Sequence, residues 1–156
     1  MNDLLILAID GHGGMHRWEQ ISRFRAAASI TGAIWALKGK PGLLEGVVLE
    51  GETRDQRLKI TPFPRPGRYA TWEPDRQTIE TTDCALVAER RAPAASFAGL
   101  TRNSQWDDFQ VAYFAGEANW NYFAVRNPDG SPVRESVSIA IDITNVTFSK
   151  EQTCAR

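Results

Sequence analysis

The chain has little of the chemistry that usually marks a functional site. It carries two histidines and two cysteines in 156 residues. Cys84 and Cys154 have neither the number for a disulfide framework nor the spacing of metal ligands. They read as one buried thiol in a strand and one incidental thiol in the polar tail. Charge of one sign is also lacking: the net charge is -1, with acids and bases interleaved. Arg90-Arg91 with Arg102 and Arg126 is too sparse for a nucleic-acid reader, whose affinity comes mostly from phosphate contacts. Long hydrophobic runs are missing as well. Leu4 to Ile9 is apolar, but no basic region precedes it and Asp3 and Asp10 flank it. A secretory core takes about 7–15 apolar residues after a positive start, and a membrane span takes about 20. The expectation is a cytoplasmic protein with no membrane span and no nucleic-acid partner.

What is present is an ordinary globular composition. The hydrophobic fraction is 42%, the charged fraction 24% and the aromatic fraction 10%, which fits one domain over residues 1–156 with a proper core. Residues 1–22 predict two short N-terminal helices. The first, residues 3–9, is ended by Gly11, Gly13 and Gly14. The second, His16 to Ser22, puts Trp18 and Ile21 on one face.

From Phe24 the period changes, and residues 24–91 predict a curved antiparallel sheet. Ala26 to Leu37 reads as a strand with Gly32 marking a bend. Val47 to Phe63 reads as a long strand or bent pair whose polar middle, Glu52 to Arg57, lies at a rim. Arg68 to Glu73 follows, with Tyr69 and Trp72 on opposite faces. Pro74-Asp75-Arg76 makes a turn. Gln77 to Arg91 returns, with Ile79, Thr81, Ala85 and Val87 on one face.

Residues 104–123 predict a helix with Ser104 as its N-cap and Asp107 three residues on as a weaker capping-box partner. Trp106, Phe109, Tyr113, Gly116, Trp120 and Phe123 recur at alternating steps of three and four, so they form one stripe. Asn127-Pro128-Asp129-Gly130 is a turn. Residues 135–148 are the final strand, in which Val137, Ile139, Ile141 and Ile143 alternate with Ser138, Ala140, Asp142 and Thr144.

Catalytic constellations do not emerge. His12 and His16 are four apart with Glu19 nearby, a spacing that holds a metal when one regular helix stacks the imidazoles. Gly13 and Gly14 between them argue against that helix. No metal and no cofactor is therefore expected, and His12 is placed at a structural corner or pocket rim. Ser96 in Ala-Ser-Phe-Ala-Gly is not a nucleophile elbow and has no positioned base. Asp107-Asp108 meets a helix dipole rather than forming an acid/base pair. The catalytic residues are unknown.

The aromatics stand out instead. Tryptophan and tyrosine join a large apolar body to one polar handle, which suits both cores and ligand pockets. Most of these rings serve the core. Trp35, Tyr69, Trp72, Tyr113 and Trp120 are expected to line a cavity, with His12 at its rim.

The order of several motifs resembles a family. His12-Gly13-Gly14-Met15 with Arg17-Trp18 is similar to the opening of uncharacterised bacterial proteins of the LolA/LppX/VioE-like superfamily. The resemblance continues through Trp35-Ala36-Leu37-Lys38-Gly39 with Pro41-Gly42-Leu43-Leu44, and through Pro74-Asp75-Arg76 with Ile79-Glu80-Thr81. It extends through Ser96-Phe97-Ala98-Gly99, Trp106-Asp107 and Ala112-Tyr113-Phe114-Ala115-Gly116 to Trp120, and ends at Asp129-Gly130-Ser131-Pro132-Val133 and Asp142-Ile143-Thr144. It implies an α+β, mainly β fold: a strongly curved LolA-like half-barrel plugged by the aromatic-striped helix. It also implies a hollow that takes a lipoprotein, a lipid or an indole-derived intermediate. No functional residue transfers by position.

Relatives continue with several strands after the aromatic helix, whereas here Tyr122-Phe123 passes almost directly to Asn127, so the chain looks internally shortened. Exposed sheet edges would then invite a homodimer. The first functional expectation is binding of a hydrophobic or aromatic small molecule or lipid in the concave face. The alternatives are a cofactor-free enzyme acting on a reactive intermediate of secondary metabolism, and an interaction subunit using an exposed edge.

Overall fold

The computed structural model describes residues 7, 10, 11, 14, 16, 19–124 and 140–149. The two N-terminal helices fall largely outside them, as do His12, Cys154, the turn at Asn127 and the start of the final strand.

The fold is α+β and mainly β. Seven antiparallel strands form one open sheet: β1 (Arg23–Thr31), β2 (Val47–Glu52), β3 (Arg57–Thr61), β4 (Arg68–Trp72), β5 (Arg76–Thr81), β6 (Leu86–Arg91) and β7 (Ala140–Ser149). Their order is β6-β5-β4-β3-β2-β1-β7, so β1 to β6 are a simple meander and β7 returns to the free side of β1. A short helix α1 (Ala33–Leu37) follows β1, and a 3₁₀ turn (Pro93–Phe97) leads to the long helix α2 (Asp108–Ala124).

Period-two patterning makes the sheet. In β1, Phe24, Ala26, Ala28 and Ile30 are buried and alternate with more exposed residues. Val47, Leu49 and Gly51 do the same in β2, and Leu58 and Ile60 in β3. Cross-strand register then lines them up. Leu58 lies opposite Trp72, Trp72 opposite Gln77, and Gln77 opposite Arg90. Directly opposed residues share a face, so this row runs across the face that α2 covers. Fully burying a side chain such as Leu49, Leu58 or Ile60 contributes about 1.5–3 kcal/mol each. The other face carries charge pairs, among them Arg25–Glu50 (3.3 Å), Arg76–Glu89 (3.2 Å) and Arg91–Glu89 (3.0 Å). Such partly exposed pairs contribute about 0–1 kcal/mol each.

Three expectations are corrected. The segment from Ala26 to Leu37 is not one strand: Gly32, at φ 135°, ends β1, and Trp35 sits in α1. Gln77 to Arg91 is two strands, because the chain turns between Thr81 and Leu86 with Cys84 at φ 66°. Ala85 and Val87 therefore do not continue the face of Ile79, and Cys84 is exposed rather than buried. The third correction concerns the start of α2. The N–H of Gln110 donates to Asp107 Oδ1 (2.9 Å) and the N–H of Asp107 donates to Gln110 Oε1 (3.0 Å). Asp107 is thus the cap and Gln110 its reciprocal partner, three residues later than the Ser104 expectation. Ser104 Oγ instead accepts the N–H of Thr101 (2.9 Å).

Beyond the alternating residues Ile141 to Thr144, β7 carries a bulge. From Arg25 to Ala27 in β1 the paired strand moves from Thr147 to Thr144, one residue more. Asn145 at φ 53° is the site of this bulge. The extra residue reverses the alternation, so Ile143 on one side and Val146 and Phe148 on the other all pack on the core.

Candidate functional site

Helix α2 crosses the strands. At its start Asp107 receives two hydrogen bonds from Arg90 of β6 (3.0 and 2.7 Å), and the Arg90 guanidinium lies 4.8 Å from the Phe109 ring centroid. In its middle Gly116 rests on Trp72 of β4. Near its end Trp120 Nε1 donates to the carbonyl of Glu52 in β2 (3.0 Å). From Asp107 to Trp120 a helix advances about 20 Å, and the strand steps from β6 to β2 cover about 19 Å, so one helix spans the row.

The side chains that α2 turns to the sheet are mostly small. Val111, Ala112, Ala115, Gly116 and Asn119 are buried, while Trp106, Phe109, Tyr113, Phe114 and Trp120 are partly buried along the flanks. The aromatic stripe is therefore not the line of closest contact. The sheet supplies bulk through Trp72, and the helix makes room for it.

Six rings form a continuous chain. Trp72 meets Tyr113 (centroids 6.3 Å apart), Tyr113 meets Phe97 (5.5 Å), and Phe97 meets Trp106 (5.5 Å). Trp106 then meets Trp35 (6.5 Å) and Phe114 (5.3 Å), which touch each other at 6.0 Å. Most contacts are edge-to-face, the arrangement that ring quadrupoles favour. Lys38, also buried, donates from Nζ to the carbonyls of Arg102 (2.7 Å) and Thr101 (3.3 Å), with Nζ 5.0 Å from the Trp106 centroid.

Several buried polar atoms in and around this core have no protein partner. They are Trp35 Nε1, Trp72 Nε1, both amide atoms of Gln77, and Asn119 Oδ1. Buried polar groups are nearly always hydrogen-bonded, and each unpaired one costs about 1–3 kcal/mol.

The structure distributes the expected cavity residues unevenly. Trp35, Trp72 and Tyr113 belong to the ring chain. Trp120 sits at the far end of α2, tied to Glu52. Tyr69 lies on the opposite face from Trp72, since it pairs in register with Glu80 and lies three residues before Trp72; it cannot share their wall. Its hydroxyl donates to Glu80 Oε2, and Lys59 Nζ sits 3.9 Å from its ring centroid. Burial, followed by hydrogen bonding to Glu80 and Cys84, holds that hydroxyl well above the ordinary phenol range. Burial, and then the Glu117 charge, also push the Tyr113 hydroxyl up. His12 lies outside the described residues, and Glu19 is exposed. Among the described residues no three His, Cys, Asp or Glu side chains are grouped to hold a metal ion, and no helix is long and apolar enough to cross a membrane.

Gln77 is the residue that pattern reading passed over. Its signal was legible: it lies two residues before Ile79 and so shares that residue's face. No protein-family model, curated protein or solved structure matches the chain.

Proposed function

We propose that the protein binds a small aromatic or otherwise hydrophobic molecule at the contact between α2 and the sheet face it covers. One observation carries the reading. Trp72 and Trp35, at or near opposite ends of the ring chain, are each 3% exposed and hold indole N–H donors without a protein acceptor. A buried indole N–H usually finds a partner. A ligand that slides apolar surface against these rings and turns an acceptor to an N–H would meet both needs. The order of motifs that resembles LolA/LppX/VioE-like proteins points the same way.

Native mass spectrometry of protein purified from its own host tests it. A bound small molecule is expected, lost or strongly depleted in a Trp72→Leu variant. Absence of any such species, together with no change in tryptophan fluorescence across a panel of indole, naphthalene and a fatty acid, overturns it.

A second reading has its own support. β6 is an edge strand whose Leu86 and Val87 are 56% and 42% exposed. Exposed apolar edges template pairing with another chain, and a second copy is the simplest partner. Light scattering at micromolar concentration distinguishes a dimer, abolished by Val87→Lys, from a monomer.

A further inference from the structure

We infer that residues 98–105 form a flap, latched shut by Lys38, whose opening admits an aromatic molecule to the Trp106 end of the ring chain. The flap stands on the fold alone; its use by a ligand rests on the binding reading above. The segment has the form of an Ω-loop, a compact surface loop whose ends lie close together. Phe97 precedes it and Trp106 follows it, and their rings meet edge to face with centroids 5.5 Å apart. Between these two feet only Leu100 and Ser104 are half-buried, and the other residues are exposed.

The hydrogen bonds of the segment show where it is held. Some are internal: the N–H of Ser104 donates to the Thr101 carbonyl (3.1 Å), and the N–H of Thr101 donates to Ser104 Oγ (2.9 Å). Apart from those to the adjoining 3₁₀ turn, the bonds that tie residues 98–106 to the other described residues all end on Leu37 and Lys38. Gln105 Nε2 donates to the Leu37 carbonyl (3.4 Å), and the N–H of Trp106 donates to the Lys38 carbonyl (3.0 Å). Lys38 Nζ reaches the crown of the loop, donating to the carbonyls of Arg102 (2.7 Å) and Thr101 (3.3 Å). One side chain thus pins the middle of the segment.

Latch and flap depend on each other. Lys38 is 6% exposed, and a buried cation is tolerated only when its donors are paired. The closed flap supplies two carbonyls, and the Trp106 ring lies 5.0 Å from Nζ. Otherwise the segment has few buried apolar side chains and an exposed backbone, the features of a unit that opens locally. Gly99, at φ 76°, turns the chain at one foot without a Cβ penalty. When the flap lifts, its carbonyls and the Lys38 ammonium pass to water, and the half-buried rings of Phe97 and Trp106 gain an open side. The space for a ligand is the space the flap leaves. Trp106 touches Trp35 and Phe114, so a flat ring entering there joins the ring chain without parting α2 from Trp72.

Amide hydrogen exchange on the full chain tests the flap. The Trp106 amide reports the flap side, and the Lys40 amide, bonded to the Trp35 carbonyl (2.7 Å), reports the body side. In the unaltered protein Trp106 should be at least about tenfold less protected than Lys40, and its exchange should be insensitive to low urea, the mark of a local opening. Lys38→Met keeps the length and the apolar stem but not the latch. It should speed exchange at Trp106 about tenfold further, the loss of one charge-assisted hydrogen bond, and leave Ala115 in α2 and Leu49 in β2 within about twofold. Equal protection of Trp106 and Lys40 in the unaltered chain overturns the flap, as does a variant whose exchange rises evenly through α2 and the sheet. Should the variant fail to fold, the comparison on the unaltered chain still decides. For entry, the rate of N-phenyl-1-naphthylamine uptake, read by its fluorescence, should rise about tenfold in Lys38→Met, in step with the open population. Uptake at equal rates in the two proteins, or by neither, overturns the entry role and leaves the flap standing. Only if the host-derived ligand is absent too does the broader binding reading fall with it.

Discussion

Gly116 packs on Trp72 so closely that a Cβ at position 116 would stand 2.3 Å from Trp72 Cγ and 2.6 Å from its Cβ. The atoms in the way are the root of the indole, not a flexible tip, so α2 would have to lift. Gly116→Ala gains about 1 kcal/mol of helix propensity but incurs about 1–3 kcal/mol of overpacking. A net loss of about 0–2 kcal/mol in urea unfolding is expected, toward the upper end because the clash is with the root of the ring. In a Trp72→Leu background the same change should be neutral or stabilising, giving a coupling above about 1 kcal/mol. A stabilised Gly116→Ala single variant would show that the helix does not rest on that ring.

Asp107 caps α2 and holds Arg90. Partial burial opposes ionisation of its carboxyl, but hydrogen bonds from Arg90 and from the backbone of Gln110 and Phe109 outweigh it and keep the group below the usual range. A depressed folded value adds stability above the unfolded value near 4 and loses it as pH falls through the folded one. Asp107→Ala should therefore cost about 1–2 kcal/mol at neutral pH and progressively less below about pH 4. Ser104→Ala should cost about 0.5 kcal/mol, the low end for one exposed hydrogen bond. Equal costs from the two variants would return the cap to Ser104.

Tyr69 has the opposite sign. Its folded hydroxyl titrates above the free value near 10, so its contribution is fully present below that pH and declines as pH rises toward the folded value. In a Tyr113→Phe background, urea midpoints should fall between pH 9 and 11, roughly the window set by a free phenol near 10. Tyr69→Phe should flatten that fall. An unchanged slope would mean that the hydroxyl is not held by Glu80 in solution.

Asn145 sets the parity of β7. Its φ of 53° suits asparagine or glycine and disfavours branched side chains. Asn145→Gly should change stability by less than about 0.5 kcal/mol, while Asn145→Val should lose about 1–2 kcal/mol. Loss of the bulge would also turn either Ile143 or Phe148 away from the core. Amide exchange in β1, which β7 covers, should accelerate in the valine variant only.

Local pattern carried much of this fold. Alternation in Phe24 to Ile30 and in Val47 to Ile60 set strand identity, because period two is a property of the strand itself. The same pattern placed Tyr69 and Trp72 on opposite faces and made an antiparallel sheet the expectation. The aromatic spacing from Trp106 to Trp120 likewise announced a helix. What sequence could not decide was anything that depends on a distant partner. Asp107 outcompeted Ser104 as the cap because Arg90, brought up by β6, secures its carboxylate. The small face of α2, not its aromatic stripe, went against the sheet because Trp72 already filled that space. The bulge at Asn145 arose from pairing with β1. The same holds for the candidate site: Gln77 is an unremarkable polar residue in a strand until β4, β6 and α2 enclose it, and only that enclosure leaves its amide in need of a partner.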